Sequence, residues 1–472
     1  MEQDVVKQQM IPQKLPFKTK LGYGAAELSS TLTWTMVSVL FLFYLTDIVG
    51  LDPAFAGFVL MVGATWDAVS DPTVGVFSDR FKSRWGRRRP FLLGVAVPFG
   101  LITWLLFTDF GFGEVGTKIY FCLGIVAYYT AATLLDVPYT SLGAEMTQDY
   151  DERTSLNSFR AVFSQVAAII AAALPWVMVS FCADIAGSEK AGWSLMAAIF
   201  GLCTILPILI TWRATRGGEL HPEGVTIRLR DVIDGPLKNR TFLYTMGLYA
   251  AASVGLSSAA ATMVYFMKYY MLFNETQESL AFLFLFACTI LWIPVISKLS
   301  VKYGKREAYM LFIGLWVVIQ AVGMLLLTPA MIIPFYAMMV VASSGVMSIS
   351  MTIWAMIPDA VEVDELKYGQ RREGLFFGVI SFVRKLAVAF FIWMIGIVLS
   401  KIGYVAGQPQ SDGVLLGIRL LYAEGVAFFL LLSVVGAYLL PMTRRRHEAL
   451  MLAIQQKKEG RAWNEDSIKA VL

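Results

Sequence analysis

The sequence predicts an all-α polytopic membrane protein with twelve transmembrane helices arranged in two six-helix halves. Three observations lead to this fold class: the composition, the number of long apolar segments and the placement of basic residues. Hydrophobic residues make up 57% of the 472-residue chain and charged residues only 16%, whereas an ordinary soluble domain carries about 25% charged residues. A chain of this length has room for about twelve spans of ~20 residues with short loops between them.

Twelve apolar segments of the sequence are long enough to cross a bilayer. A polar stretch leads directly into the first of them, so no cleavable signal peptide is expected. The segments fall near 21–48, 55–78, 90–109, 117–145, 158–182, 191–213, 241–272, 280–299, 308–327, 331–357, 375–403 and 415–441.

Lysine and arginine are concentrated in every second loop, and this asymmetry predicts the orientation in the membrane. Residues 79–89 hold six of them, and 213–240 holds six more. The N-terminal tail and the start of the C-terminal tail are also basic, while the loops of the other parity hold almost none. Both termini are therefore expected on the cytoplasmic side of the cell (inner) membrane, which agrees with an even number of spans.

The two halves of the sequence are weakly similar at corresponding positions. SDRFKSRWGRRRPFLLG follows the second apolar segment, and SKLSVKYGKREAYMLFIG follows the eighth. A duplicated helical unit is common in transporters, which bind their solute between the repeats at mid-membrane. Part of the polar linker, VTIRLRDVIDGPLKNR, is either an amphipathic helix on the membrane surface or a solvated connector. We therefore expect an N-terminal half at 1–213, a cytoplasmic linker at 214–240, a C-terminal half at 241–441 and a cytoplasmic tail at 442–472.

Two carboxylates in the second apolar segment are the strongest functional signal. Asp67 and Asp71 lie four residues apart and face the same side of a helix. A charged side chain at membrane depth costs roughly 2.5–3.5 kcal/mol on insertion scales, so each acid needs a partner. Ser70, and Thr133 on the fourth segment, would add the oxygen ligands that a hard cation such as Na⁺ prefers. These four residues form either a cation site, with Asp67 and Asp71 as the metal ligands, or acids that only pair with arginines to fix the fold.

Two basic residues inside apolar segments should face an acid or a cavity. Arg160 lies at the start of the fifth segment and could pair with Asp136 or Asp67. Lys385 lies in the eleventh segment and could reach Asp67 or Asp136 in the other half. Such a pair would respond when a cation neutralises the aspartate, which would couple ion binding to a conformational change. The alternative for Lys385 is a static charge pair.

Glu27, in the first apolar segment, is a candidate for binding a polar solute such as a sugar. It lies near Trp34, whose ring could stack on a sugar while the carboxylate accepts hydrogen bonds. Placed about one turn into the expected helix, Glu27 could equally form a cytoplasmic charge pair. Other aromatic side chains that could line a sugar cavity are Tyr128, Tyr129, Tyr139 and Trp354.

Four motifs, WDAVSDP, DVPYTSL, DERTSLNSFR and SRWGRRRPF, carry a resemblance to a known family. The sequence resembles the glycoside–pentoside–hexuronide:cation symporters of the major facilitator superfamily over nearly its whole length. The resemblance implies a major facilitator fold and coupling to Na⁺, H⁺ or Li⁺. It places Asp67, Asp71 and Thr133 on the family's cation site. It also places Asp136 on a sugar-binding aspartate and Lys385 on the lysine that links the two sites.

The sequence departs from the family pattern at three positions. Ser70 stands where the family has a cation-site asparagine. Thr31 and Thr140 stand where the family has the aspartate and the tryptophan that hold galactosides, so the galactoside pocket is not preserved. Glu27, one turn from Thr31, is expected to substitute in part. The expected substrate-binding set is therefore Asp136, Glu27, Thr31, Thr140, Tyr128, Trp354 and Arg160, with Lys385 and Asp136 as coupling residues.

The loop after the second apolar segment matches a gate motif of the superfamily at Gly75, Asp79, Arg80, Gly86 and Arg87. The resemblance implies that contacts between the acid and the arginines latch the cytoplasmic gate in one state. A plain basic anchor at the cytoplasmic surface is the alternative reading.

These observations favour a secondary active symporter that imports a sugar or glycoside with Na⁺ or H⁺. The alternative is a cation-coupled transporter of a lysolipid or another non-sugar solute. An enzyme is not expected, because both histidines, His221 and His447, lie in polar stretches and no nucleophile clusters with a base. The expected partners are a small-molecule substrate and membrane lipid, with no nucleic acid. Apart from the coupling cation no cofactor is expected, and the protein is expected to be a monomer.

Overall fold

Twelve long apolar helices build the protein, as the hydropathy pattern predicts. The computed structural model describes residues 14–81, 83–147, 149–217, 236–368, 372–459 and 461, and this part of the chain contains helices and no strand. A thirteenth, polar helix, α13, spans Arg444–Lys458. The candidate membrane spans are α1 Phe17–Ile48, α2 Pro53–Arg80, α3 Arg89–Leu106, α4 Gly113–Met146, α5 Glu152–Ala186, α6 Glu189–Ala214, α7 Arg240–Tyr270, α8 Glu275–Tyr303, α9 Lys305–Leu326, α10 Ile332–Lys367, α11 Glu373–Lys401 and α12 Asp412–Leu439.

Several helices begin earlier than the apolar segments that predict them. Because α1 starts at Phe17, Glu27 lies about three turns into the helix rather than one. Because α5 starts near Glu152, Arg160 lies about two turns in. The extra turns are polar, and one is capped by Asp149, whose side chain accepts a hydrogen bond from the Glu152 amide at 2.9 Å. A hydropathy pattern does not predict such polar turns, because they can lie outside the hydrocarbon core of the membrane.

The described contacts group the chain into two compact units. The first unit comprises Met1–Val37 and Val69–Val225, and the second comprises Ser38–Ala68 and Thr226–Leu472. The second unit therefore includes the C-terminal part of α1 and the N-terminal half of α2. The division into six-helix halves stays a prediction, and most of its linker, 218–235, lies outside the described residues, as does the end of the tail.

In the first unit, α3 and α6 approach each other through glycine. A Cβ atom added to Gly100 would lie 2.4 Å from the carbonyl oxygen of Gly201, and the reverse distance is also 2.4 Å. Any side chain at either position would force the helices apart, since close backbone packing in membranes depends on small residues.

In the second unit, α2 and α11 approach each other in the same way. A Cβ atom on Gly396 would lie 2.2 Å from the Pro53 carbonyl oxygen, and one on Gly57 would lie 3.1 Å from the Trp393 Cα. This contact fixes the N-terminal half of α2 against the C-terminal half of α11.

The C-terminal ends of α1 and α7 are both widened into a π-helical turn. The turns span Tyr44–Ile48 and Phe266–Tyr270. Isolated π-turns are frequent at functional sites, because the additional residue re-aims the side chains around it. Here the two turns carry Asp47, Lys268 and Tyr269.

Candidate functional site

A charge pair lies deep inside the second unit. The Nζ atom of Lys385 on α11 lies 2.6 Å from Oδ2 of Asp67 on α2, and each side chain is only 16% exposed. Asp67 stands at the middle of α2, where an unpaired carboxylate would be costly in hydrocarbon. The sequence offered Asp67 and Asp136 as partners for Lys385, and the structure pairs it with Asp67.

One turn further along α2, in the first unit, two hydroxyl groups meet. The Ser70 and Thr133 hydroxyl oxygens lie 2.9 Å apart, and both residues are buried. Asp71 follows Ser70 on the same helix and is half-buried. The structure thus brings together two of the four predicted cation ligands, Ser70 and Thr133. The hydroxyl oxygens offer the hard ligands that Na⁺ takes.

A half-buried charge pair in the first unit joins α1 to α5. Nε of Arg160 donates to Oε2 of Glu27 at 2.8 Å, and a second guanidinium nitrogen lies 2.8 Å from the same oxygen. The Arg160 guanidinium also lies 4.9 Å from the centroid of the Tyr139 ring. The expectation that Arg160 pairs with Asp136 or Asp67 is therefore wrong in this structure. Glu27 is the partner because α1 begins earlier than expected and carries Glu27 to the depth of Arg160.

The next turn of α1 extends this polar cluster. The Thr31 hydroxyl lies 2.9 Å from the Ser164 hydroxyl on α5. The Ser30 hydroxyl donates to Oδ1 of Asp136 on α4 at 2.6 Å. Positions 27, 30 and 31 share one side of α1 by their helical spacing. Glu27, Ser30, Thr31, Asp136 and Arg160 therefore form a polar cluster in the first unit.

Three residues of the expected substrate-binding set make other contacts. The Tyr128 ring stacks on Phe99, with centroids 5.9 Å apart, and is enclosed by protein, contrary to the expectation that it lines an open cavity. The Thr140 hydroxyl donates to the Asp136 carbonyl of its own helix at 2.8 Å. Trp354 belongs to the second unit, where its ring stacks on Phe377.

The gate motif forms a charge network around a residue that the sequence analysis did not single out. Arg87 donates to Oε1 of the buried Glu145 on α4 at 2.6 Å, and Arg88 donates to the same oxygen at 3.2 Å. Arg88 also bonds Asp79 at the end of α2. Gly86 has a φ of +98°, a backbone conformation that favours glycine. The side chain of Arg80 is exposed.

The second unit has a comparable network at the C-terminal end of α10. Lys305 Nζ lies 2.7 Å from Asp359 Oδ1, and Arg372 bonds Asp364 at 2.8 Å. His447 on α13 lies 2.9 Å from Glu362, and this hydrogen bond raises the pKa of the imidazole above its usual range.

Three of these groups have the spacing of a metal site. One ligand atom each of Asp359, Glu362 and His447 lies within 4.8 Å of the others. The Lys305 ammonium already bonds Asp359 and would repel a metal ion, so we interpret the cluster as a network of ion pairs.

A buried carboxylate at the C-terminal end of α1 is a feature that sequence reasoning missed. Asp47 accepts hydrogen bonds from Tyr404 at 2.7 Å and from Thr46 at 2.8 Å, and also from Tyr269. Lys268 lies 3.7 Å away, and the Asp47 side chain is 1% exposed. Burial and the neighbouring carboxylate raise the pKa of Tyr404, so its phenol stays protonated and remains a donor.

Comparisons with known proteins identify the family. The sequence model described as MFS/sugar transport protein matches residues 22–444. A symporter of Synechocystis sp. (strain PCC 6803) is 30% identical, with 96% of this chain and 99% of the relative covered. The glucuronide carrier protein homolog of Escherichia coli K12 is 25% identical, with 95% and 97% covered.

The fold also matches that of a solved transporter. The crystal structure of a bacterial homolog of the human lysosomal transporter Spinster superimposes with a TM-score of 0.64 at 13% identity, covering 95% of this chain and 99% of that one. The twelve apolar helices and these matches make the protein a multi-pass membrane transporter rather than an enzyme. The chain belongs to the MFS/sugar transport protein family, among the glycoside–pentoside–hexuronide:cation symporters of the major facilitator superfamily.

Proposed function

We propose that the protein is a secondary active symporter that imports a sugar or glycoside together with Na⁺ or H⁺ by alternating access. The names of its relatives, a symporter and a glucuronide carrier homolog, support both parts of this proposal. The geometry that supports it most directly is the contact between Lys385 and Asp67 at 2.6 Å.

Coupling follows from the chemistry of this pair. A cation or a proton that neutralises Asp67 competes with the Lys385 ammonium for the same carboxylate. The conformation with the pair formed and the conformation with the pair broken then differ in cation affinity, and a ligand shifts an equilibrium only through such a difference. Asp71 and Ser70 follow Asp67 on α2, and Ser70 meets Thr133 of α4; these residues offer oxygen atoms of the kind that Na⁺ takes.

The polar cluster of the first unit suits a sugar. A sugar hydroxyl donates one hydrogen bond and accepts others. Asp136 and Glu27 offer charged acceptors, and Arg160 offers charged donors. Hydrogen bonds to charged groups are worth roughly 1.5–3 kcal/mol each. The same cluster argues against a lysolipid or another mainly apolar solute, whose acyl chain would gain nothing from these groups. We propose further that Thr31 and Thr140 contribute to the substrate site.

We further propose that the protein lies in the inner membrane with both termini in the cytoplasm. The basic residues of 79–89 and of the two tails support this orientation. In it, the gate network around Arg88 and Glu145 faces the cytoplasm, and Asp47 faces the exterior. We also propose that six helices lie on each side of the linker in the sequence and that the protein is a monomer.

Uptake into proteoliposomes tests the function. Neutral glycosides, sugar acids and a lysophospholipid are offered under an imposed Na⁺ gradient and, separately, under an imposed proton gradient. We expect concentrative uptake of at least one sugar under one of the two gradients. Asp67→Asn should abolish concentrative uptake and retain some exchange of the same sugar. The proposal would be contradicted if only the lysophospholipid were concentrated. It would also be contradicted if sugar uptake did not depend on either the Na⁺ or the proton gradient.

A further inference from the structure

Arg384 is a second basic residue deep within α11, next to Lys385. It lies eleven residues after Glu373, the first residue of the helix, which is ~16 Å along the axis. A bilayer core is about 30 Å thick, so Arg384 lies near its middle. Its side chain is half-buried.

The contacts of Arg384 contain no counter-charge. Its guanidinium lies 5.8 Å from the centroid of the Tyr249 ring, and no acidic residue within the described ranges forms an ion pair with it. Lys385 beside it is neutralised by Asp67 and Arg160 by Glu27. An aromatic face offsets only part of the cost of a cation at membrane depth. Arg384 therefore needs a cavity open to water or solute, and its side chain has the capacity to bind an anion.

Arg419 shows why depth matters. It also lies over a tyrosine ring, with its guanidinium 5.0 Å from the centroid of Tyr270. However, it is only seven residues from Asp412, the first residue of α12, or ~10 Å along the axis. A long basic side chain near a helix end can extend to the membrane surface, whereas one at the position of Arg384 cannot.

The Tyr249 ring beside Arg384 belongs to a cluster of aromatic rings from three helices. The Trp354 ring on α10 packs edge-on against Tyr249 on α7, with centroids 6.0 Å apart. It also stacks on Phe377 of α11, with centroids 5.7 Å apart and an interplanar angle of 13°. Trp354 is 48% exposed, whereas Tyr249 is 6% exposed. An exposed indole backed by a second ring offers a flat apolar face in the cluster whose Tyr249 ring lies against the guanidinium.

We propose that Arg384, together with Trp354 of the same aromatic cluster, forms a subsite for an acidic sugar, with Arg384 binding its carboxylate. A guanidinium holds a carboxylate by two parallel hydrogen bonds, a geometry that an ammonium does not provide. The apolar face of the sugar ring packs on the indole of Trp354. This inference rests on the proposed function, which it narrows from sugars in general to sugars that carry an acid group.

Matched sugar pairs test the subsite. Binding and uptake are measured for methyl β-D-glucuronide against methyl β-D-glucoside, and for the galactose- and mannose-configured pairs. The two members of each pair differ in a carboxylate at C6. We expect the protein to prefer the acid of at least one pair. Arg384→Gln should weaken binding of that acid by about tenfold to a hundredfold, the range for a hydrogen bond to a charged group. Binding of the neutral partner should change less than threefold.

Two further variants separate recognition from folding. Arg384→Lys keeps the positive charge and should retain part of the acid preference, because the paired hydrogen bonds are lost. Arg419→Gln removes an arginine with the same ring contact near the helix end, and it should leave the ratio of acid to neutral binding unchanged.

The outcomes distinguish this inference from the proposed function. A protein that takes up only neutral sugars, or an Arg384→Gln variant that weakens acid and neutral binding equally, would overturn the subsite and leave sugar symport standing. A protein that neither binds nor transports any member of the pairs would overturn both.

Discussion

Lys385 of α11 and Asp67 of α2 form an ion pair with their charged atoms 2.6 Å apart, and both residues belong to the second compact unit. In the sequence they lie in different halves. The structure therefore places Lys385 within a few ångström of a carboxylate from residues 1–213, the stretch that the sequence analysis expects to be the N-terminal half. The identity of that carboxylate sets the first prediction.

Lys385→Ala should impair transport far more than folding. The variant leaves the Asp67 carboxylate without its ammonium partner. Binding of a cation to Asp67 then no longer breaks an ion pair, so it no longer favours one conformation over the other. We expect concentrative uptake to fall at least tenfold while the loss of thermal stability stays smaller in effect, because a carboxylate left without its partner can be neutralised by a proton. Adding Asp67→Asn should restore exchange without restoring accumulation. Lys401→Ala, at the exposed end of the same helix, is the matched control. If Lys385→Ala accumulates substrate normally, the pair is static.

Thr133→Val should weaken cation binding selectively. The change replaces the buried hydroxyl that meets Ser70 by a methyl group of similar size. One neutral hydrogen-bonding group is worth roughly 0.5–1.5 kcal/mol, so the cation concentration for half-maximal substrate binding should rise about threefold to tenfold. Thr133→Ser keeps the oxygen and should stay close to the unmodified protein. Equal cation affinity in the two variants would remove Thr133 from the ion site.

Asp136→Ala should weaken substrate binding by about ten- to a hundredfold, the loss expected for one hydrogen bond to a charged acceptor. Cation affinity, measured without substrate, should change less. Asp109→Ala removes an acid from the loop between α3 and α4 that pairs with Lys190, and it should leave substrate binding unchanged. If the cation affinity of Asp136→Ala collapses while substrate affinity holds, Asp136 belongs to the ion site.

The attachment of α13 should weaken as pH rises. The hydrogen bond to Glu362 raises the pKa of His447 above its usual value of about 6.5. The stabilisation is fully present below that usual value, and it is lost as pH rises through the higher folded-state pKa. The difference in melting temperature between the unmodified protein and His447→Gln should therefore be largest near pH 6 and shrink toward pH 9. A difference that stays constant or grows with pH would show that His447 is neutral when bound.

Asp47→Ala should destabilise the C-terminal end of α1. The change leaves the hydroxyls of Tyr404 and Tyr269 without their acceptor inside the protein. Buried polar groups left unsatisfied cost about 1–3 kcal/mol, so the free energy of unfolding should fall by about 2–3 kcal/mol. Asp184→Ala, which removes an exposed acid from α5, should stay within about 0.5 kcal/mol. Equal stability of the two variants would show that water replaces the lost acceptor.

The spans could be predicted from sequence because hydrophobic length is a local property. The pairing of Lys385 could be narrowed to two acids because so few charges lie inside apolar segments. The partner of Arg160 could not be predicted, because it depends on where α1 begins and the polar first turns carry no hydropathy signal. The packing of Tyr128 on Phe99 could not be predicted either. The sequence of a span does not distinguish an aromatic side chain that faces a cavity from one that packs against another ring.

Asp47, Glu145 and Arg88 escaped prediction for a different reason. Each stands near the end of an apolar segment, where a charged residue is ordinarily solvated. Only the folded chain places tyrosine hydroxyls around Asp47 and two arginines on Glu145. In sequence these residues cannot be told from the exposed charges next to them, such as Arg80.

Because α1 and α7 end in π-helical turns, the contacts of Asp47 depend on the number of residues in each helix as well as on its side chains. Each turn contains a residue more than a regular α-helical turn would hold. Deleting a single residue earlier in α1 would rotate Asp47 by about 100° about the helix axis, away from Tyr404. Alanine scanning changes side chains and preserves this register, so it would not detect the dependence. A scan of single-residue deletions would detect it. Inserting one residue on the other side of the π-helical turn would not restore the Asp47 network.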